Sequence, residues 1–367
     1  MRRENPQGVI VATGCWAQEL DEEEGAKIGL DAIVGNRLKS ALPEILEKIL
    51  AEGTRPRAPV VCRLPSPPNG DWDKLSVERT TLRTRAFIKV QEGCDHYCSY
   101  CIVPYVRGGP VSRDPGEILE EVRRVAVAGC REVVLTGVHL GLYRHGEGGG
   151  LARLVREIAK TPGICRIRFG SIEPFALDEN LVRTLAETPG FCPHLHLPLQ
   201  SGDDGVLRAM RRGYSAAEFR RIVEKVRGLW REKIHFSTDL LVGFPGESDA
   251  AFENTLALVR ELEFGKLHVF PYSRRPGTEA ACMEGQVPEA VVRARCEAGI
   301  RLGENLLERY AASFIGKTVP VLVEKSKGKE ARGLTPHFLP VHWNGGGETG
   351  GVCDVEVKGY KSGELLG

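Results

Sequence analysis

From about residue 84 the chain alternates between short apolar runs and longer amphipathic ones. Six runs read as strands: "AFIKVQE", "REVVLTGV", "CRIRFGSI", "HLHLPLQ", "IHFSTDLLVGF" and "KLHVFPYS". The stretches between them carry helical spacing. "DPGEILEEVRRVAVAGC" places Asp114 at an N-cap, Pro115 at the first helical position and Gly129 as the stop. "SAAEFRRIVEKVRGLW" opens on a capping box, Ser215 with Glu218. Strands that are each followed by a helical segment imply a parallel sheet with right-handed crossovers. An α/β barrel cut down to six units and an open doubly wound sheet both satisfy this pattern. In either, the chemistry belongs to the C-terminal ends of the strands.

The flanks have a different character. Residues 1–50 hold one buried-strand run, "GVIVATGC", and a helical run, "LKSALPEILEKILAEG". Residues 54–79 are rich in Pro and Arg and read as a linker. A long helical pattern, "PEAVVRARCEAGIRLGENLLERYAASFIG", closes the central unit. Short strand-like pieces and Gly-rich turns then fill 316–367, which suits a small β-barrel or sandwich. Three units follow: 1–80, 81–315 and 316–367.

Composition adds limits. The 367 residues are 42% hydrophobic and 27% charged, an ordinary globular mix, and no apolar run is long enough to span a membrane. Glu4, Asn5 and Pro6 interrupt the basic start before any apolar stretch, which makes a poor signal peptide, so a cytoplasmic protein is expected. In that compartment eleven cysteines do not form a disulfide framework, and a tight cluster reads as a metal or redox site. The net charge of +1 neither favours nor excludes a polyanion, so any nucleic acid has to be met by local patches.

The tight cluster is "CDHYCSYC", where Cys94, Cys98 and Cys101 make C-x3-C-x2-C directly after the first strand. A structural zinc site needs a fourth ligand, and His96 would have to fold back sharply to supply it. Three thiolates on an iron–sulfur cluster leave one iron open to substrate or cofactor. The spacing, with an aromatic before the last Cys, resembles the radical S-adenosylmethionine (SAM) signature. That resemblance implies a [4Fe-4S] cluster whose open iron chelates SAM. It also implies reductive cleavage of SAM to methionine and a 5′-deoxyadenosyl radical, and places Tyr100 along the adenine.

Further segments occur in a fixed order: "TGCWAQ", "CSYCIVPYVRG", "VVLTGVHLGLY", "SIEP", "HLHLPLQSG", "TDLLVGFPGE" and "YSRRPGT". Together they resemble the radical SAM methylthiotransferases, which place a methylthio group on an unactivated C–H, and the resemblance runs from about Val9 to the C-terminus. It implies a partial (βα)6 barrel, a remnant N-terminal α/β domain and a C-terminal TRAM-like β-barrel whose "EKSKGKEARG" loop meets phosphate. The glycines of "TGVHLG", Gly137 among them, let backbone approach SAM. Glu173 and Gln200 suit its ribose and carboxylate. Asp239 and the "GFPGE" turn close that side, Arg275 is a candidate for a substrate anion, and Arg107 suits a phosphate or a carboxylate of the fold equally. His194 and His196 read as packed strand residues, and Cys62, Cys130, Cys165, Cys192, Cys282, Cys296 and Cys353 as incidental. "LTGVHLGLY" resembles the branch acting on N6-threonylcarbamoyladenosine at tRNA position 37. The partners implied are a tRNA anticodon loop and an electron donor such as flavodoxin or ferredoxin.

The family also carries a second [4Fe-4S] cluster on three N-terminal cysteines, of which only Cys15 is matched. The expectation is therefore an N-terminally truncated chain with an incomplete auxiliary site. Two further readings stand beside this one: a methylthiotransferase of a ribosomal protein, and an RNA-binding remnant unable to insert sulfur.

Overall fold

The structure, a computed structural model, describes residues 5–53, 56–74, 84–146 and 150–367. The expected boundary between residues 80 and 81 lies outside the described residues.

The N-terminal unit is a three-stranded parallel sheet of β1 (Val11–Thr13), β2 (Ala32–Val34) and β3 (Val60–Cys62). The third strand corrects the sequence reading, which assigned 54–79 wholly to a linker. "VVC" is too short to show a period, and it is recruited by the exposed edge of β2. Helix Leu42–Ala51 stands where the sequence places it.

The central unit begins with β4 (Arg85–Lys89), followed by a short antiparallel ribbon of β5 (Gln91–Glu92) and β6 (Val111–Ser112). β7 (Glu132–Thr136) and β8 (Arg166–Phe169) join β4 in one parallel sheet. β9 (His194–His196), β10 (His235–Val242) and β11 (Lys266–Pro271) form a second. Parallel bridges Ile167–Phe191 and Ser171–His196 stitch the two together, so six parallel strands follow one another in chain order. Among the described residues no ladder joins β11 back to β4. The crossover helices start as read: Asp114 caps Pro115–Val127, and the Ser215–Glu218 capping box opens Ala216–Leu229.

The period of two sorts each strand. Ile88, Val133, Leu135, Ile167, Phe169, Leu195, Phe236 and Leu240 turn outward into the core beneath the helices. Polar groups from the alternate positions meet across the inner face. Arg168 binds Glu132, His194 and His196 both meet the Ser237 hydroxyl, and His196 faces Asp239 at 3.1 Å.

Helix Glu289–Ala312 leads into a six-stranded sheet ordered β15-β12-β13-β14-β17-β16. Its strands are β12 (Thr318–Lys327), β13 (Glu330–Leu334), β14 (Pro340–Asn344), β15 (Val352–Glu356), β16 (Gly359–Lys361) and β17 (Glu364–Leu366). Val321, Val323, Val341 and Trp343 pack with Tyr310 and Phe314 in its core. The 335–339 turn docks against the beginnings of the central strands. Arg166 donates to the Leu334 and Pro320 carbonyls at 2.8 Å each, and Arg168 to Pro336 at 2.9 Å. Phe338 stacks on His194 at 4.7 Å, with the cations of Arg85, Arg168 and Lys266 around its ring. No helix among the described residues is long and apolar enough to cross a membrane.

Candidate functional site

The three-thiol loop lies at the opposite end of the strands from Phe338. Its entry is Gly93 at φ 75°, where a Cβ would stand 2.0 Å from the Gly109 carbonyl oxygen. The Cys94 amide donates to the Gly108 carbonyl at 3.0 Å, which closes the loop base. Gln91, which the sequence reading passed over, ties that base to the next strand end. Its amide donates to the Glu92 and Gly93 carbonyls, and its carbonyl oxygen accepts from the His139 amide at 2.7 Å. Gly137 makes room for this staple, because a Cβ there would lie 2.9 Å from Gln91.

The segment 209–214 braces the other side of the loop. Ser99 bonds the Ala209 and Met210 carbonyls. His96 Nε2 meets the Arg212 carbonyl at 3.1 Å, and its ring stacks on Phe175 at 5.3 Å, which turns it to the loop's support. Arg212, 2% exposed, reaches Cys98 Sγ at 3.4 Å, pairs with Glu173 and stands over the Tyr214 ring. The only sequence sign of this brace was "MRRGY", two arginines and a glycine closing a helix.

The other expected residues divide between this end of the strands, a deeper position and a neighbouring groove. Glu173 is bound by Arg212. Gln200 takes a left-handed φ of 68° between backbone bonds to Asp239 and Leu241, a strained position of the kind that gathers at functional sites. Tyr100 packs edge-on against Phe244 of the "GFPGE" turn at 6.5 Å, and burial pushes its hydroxyl well above the usual range. Asp239 lies deeper, paired with His196. Arg107 is held by Glu92 at 2.8 Å, and its Nε donates to Cys15 Sγ at 3.1 Å. Cys15 and Arg275 line one groove of about 730 Å³, together with Trp16, Tyr105 and Ile102, the residue after Cys101.

Do these residues fit an iron–sulfur cluster and SAM? Burial, together with the charge of Cys98 and Cys101, pushes Cys94 up to about 11, and burial with Cys98 pushes Cys101 in the same direction. The bare loop therefore disfavours thiolates until a cation joins it. Among the described residues no three His, Cys, Asp or Glu groups converge as ligands of a single ion. Three thiolates from one loop suit a cluster that keeps one iron free of protein, whereas a closed zinc site needs a fourth ligand. His139 Nδ1 and the Tyr272 hydroxyl are buried on the same rim without partners, as a polar ligand there requires. Burial also pulls the His139 imidazole down, leaving it neutral. Cys15, expected as a ligand of a second cluster, has the Arg107 guanidinium beside its sulfur.

The radical SAM superfamily model matches residues 88–259. The threonylcarbamoyladenosine tRNA methylthiotransferase MtaB of Chlamydia pneumoniae is 38% identical over 92% of this chain and 76% of its own length. The corresponding protein of Thermotoga maritima is 37% identical over 98% and 80%. A tRNA-2-methylthio-N(6)-dimethylallyladenosine synthase of Maricaulis maris is 38% identical over 98% and 80%. Among solved structures, the radical SAM methyltransferase TsrM of Kitasatospora setae shares the fold, with a TM-score of 0.57 at 19% identity over 74% of this chain and 58% of that one.

Proposed function

The chain belongs to the radical SAM tRNA methylthiotransferases, and on that premise we propose that it modifies C2 of N6-threonylcarbamoyladenosine at position 37 of tRNA. The observation that carries the reading is the three-thiol loop, braced by Arg212 and opening onto Glu173, Gln200 and Tyr100. Relatives of both adenosine branches are equally similar, so the branch rests on "LTGVHLGLY".

In this reading Cys94, Cys98 and Cys101 would hold a [4Fe-4S] cluster, and the chemistry it would supply is one-electron reduction of SAM. Arg212 places positive charge against Cys98 and fixes Glu173 toward the SAM side. Tyr100 and Phe244 form an apolar wall for the adenine. Gln91 sets the turn at Gly137 and His139 beside the loop. The groove at Cys15 and Arg275 faces the tRNA side, where Arg275 meets phosphate. The six strands form a partial (βα)6 barrel within 81–315, flanked by the 1–80 unit, and 316–367 serves as a TRAM-like RNA-holding domain. The tRNA anticodon loop is the macromolecular substrate, and a flavodoxin or ferredoxin the electron source.

Mass spectrometry of tRNA nucleosides from a strain lacking the gene tests the reading. The methylthio group should vanish from the threonylcarbamoyl nucleoside and return on complementation. Loss confined to the dimethylallyl nucleoside, or to a ribosomal peptide, contradicts it.

A further inference from the structure

A basic groove of about 410 Å³ lies beyond the second strand, lined by Gly141, Arg144, Gly150, Arg153, Arg156 and Asp178. It borders the thiol-loop end of the strands. Gly141 packs so closely on Ala176 that a Cβ there would lie 2.2 Å from the Ala176 Cβ. From the same two turns, His139 and Phe175 meet each other at 5.4 Å and reach His96 of the thiol loop at 6.5 and 5.3 Å. The cations of the groove are uncommitted. Arg144 bonds the Gly141 and Tyr143 carbonyls, and Arg156 the Thr184 hydroxyl. The carboxylates around them have other partners. Glu157 is held by Lys160, Glu179 by Arg183, and Asp178 caps its own helix at the Leu181 amide. Among the described residues no ion pair includes Arg144, Arg153 or Arg156.

Helix Leu151–Ala159 opens into the same place. Its N-cap, Gly150, brings no side chain to cap it. The first intrahelical bond runs from the Leu154 amide to the Gly150 carbonyl at 3.2 Å, so the amides of Leu151, Ala152 and Arg153 are left over. An antiparallel bridge to Gly150 holds Arg144 beside this end. A cavity of about 360 Å³ adjoins the groove and shares Gly150 and Arg153 with it. Tyr143 lines that cavity and is 1% exposed, and its hydroxyl has no partner among the described residues. A buried donor left unpaired calls for a ligand. Burial, with the Asp114 charge adding, pushes this hydroxyl up to about 12, so it stays a donor. Asp114 itself is engaged by the Glu117 amide and by His145 at 3.3 Å.

We propose that the start of helix Leu151–Ala159 seats a backbone phosphate of the tRNA, with Arg153 and the Tyr143 hydroxyl as side-chain donors and Arg144 and Arg156 along the path of the strand beyond it. The inference rests on the tRNA reading and adds a contact which that reading does not supply. Free helix amides, the helix dipole and a guanidinium together make an anion site. A single small anion needs one such cation, whereas three arginines along a groove suit a run of phosphates. Arg275 follows the sixth strand and this groove the second, both at the C-terminal strand ends, so RNA laid across the opening reaches both. Contacts of this kind set register and orientation without reading sequence.

The test reads binding of a fluorescein-labelled, unmodified tRNA transcript to anaerobically reconstituted full chain, by anisotropy over a range of salt. Arg153→Gln should weaken binding about tenfold and lower the slope of log Kd against log salt by about one. Tyr143→Phe removes a hydroxyl that has no protein partner. It should leave the thermal midpoint of the free protein unchanged or higher, yet weaken tRNA binding about tenfold. Gly150→Asp puts a capping carboxylate into open space on extended backbone, so it should stabilise the free protein and still weaken binding. Arg183→Gln removes an equal charge from an arginine already paired with Glu179, and should change neither affinity nor slope. An Arg183→Gln effect as large as that of Arg153→Gln makes the response one of overall charge and overturns the seat. Wild-type affinity in Tyr143→Phe and Gly150→Asp overturns it as well. A wild type that binds no tRNA overturns the tRNA reading on which the seat rests.

Discussion

At the scale of single residues, Arg212 ties the most together. It is buried against Cys98, Glu173, Tyr214 and the Pro198 carbonyl. Truncating one member of a buried pair leaves the other charge without compensation, at a cost of roughly 3–5 kcal/mol. Arg212→Met should therefore lower the thermal midpoint of the metal-free protein sharply. Adding Glu173→Gln should recover part of the loss, because the stranded charge is removed. A double variant no more stable than the single one contradicts the pairing. The sequence marks Glu173 and shows the arginines of "MRRGY", but not that the two meet. The three thiols announce themselves by spacing, whereas Arg212 acts on Cys98 across 114 residues of chain. Arg107 illustrates the same limit: the sequence marks it as a cation near the loop, and only the fold shows Glu92 turning it onto Cys15.

Among elements, the six strands were readable as short apolar runs between helical segments, and the helix starts were readable from their caps. β3 was missed because three residues among prolines carry no period, and only its pairing with β2 defines it. The cysteine loop depends on a position no side chain can share. At Gly93 the left-handed φ alone costs an ordinary residue roughly 1–2 kcal/mol. The Gly108 and Gly109 carbonyl oxygens, 2.6 and 2.0 Å from a built Cβ, are backbone and cannot yield cheaply. Gly93→Ala should keep the helical circular dichroism and lose most of its iron after anaerobic reconstitution. Wild-type iron content in that variant would contradict the loop geometry.

For the whole molecule, the C-terminal sheet is docked through groups that resist protonation. Burial pulls His235 down to about 3 and His337 to about 4 from an ordinary 6.5, with Arg168 adding to both and Lys317 and Arg166 to His337. Glu232 faces His337 from the other side at 3.7 Å. The unfolded chain binds these protons first, so the stabilisation is fully present above about pH 6.5 and is lost as the pH falls toward 4. Between pH 7 and 5 the loss is on the order of 1–2 kcal/mol per histidine, each kcal/mol moving the midpoint by about 1–2 °C. His235→Asn with His337→Gln should flatten that fall, and an unchanged slope would show that the interface does not titrate. Such docking keeps the sheet at one end of the strands and the thiol loop at the other, with the polar inner face between them. The account as a whole stands on the loop's chemistry, so the most direct test is 5′-deoxyadenosine formed by anaerobically reconstituted protein given SAM and a one-electron reductant. Wild type should produce it and hold roughly four irons per chain, whereas Cys98→Ala should produce none. A Cys98→Ala protein that cleaves SAM at the wild-type rate would contradict the account.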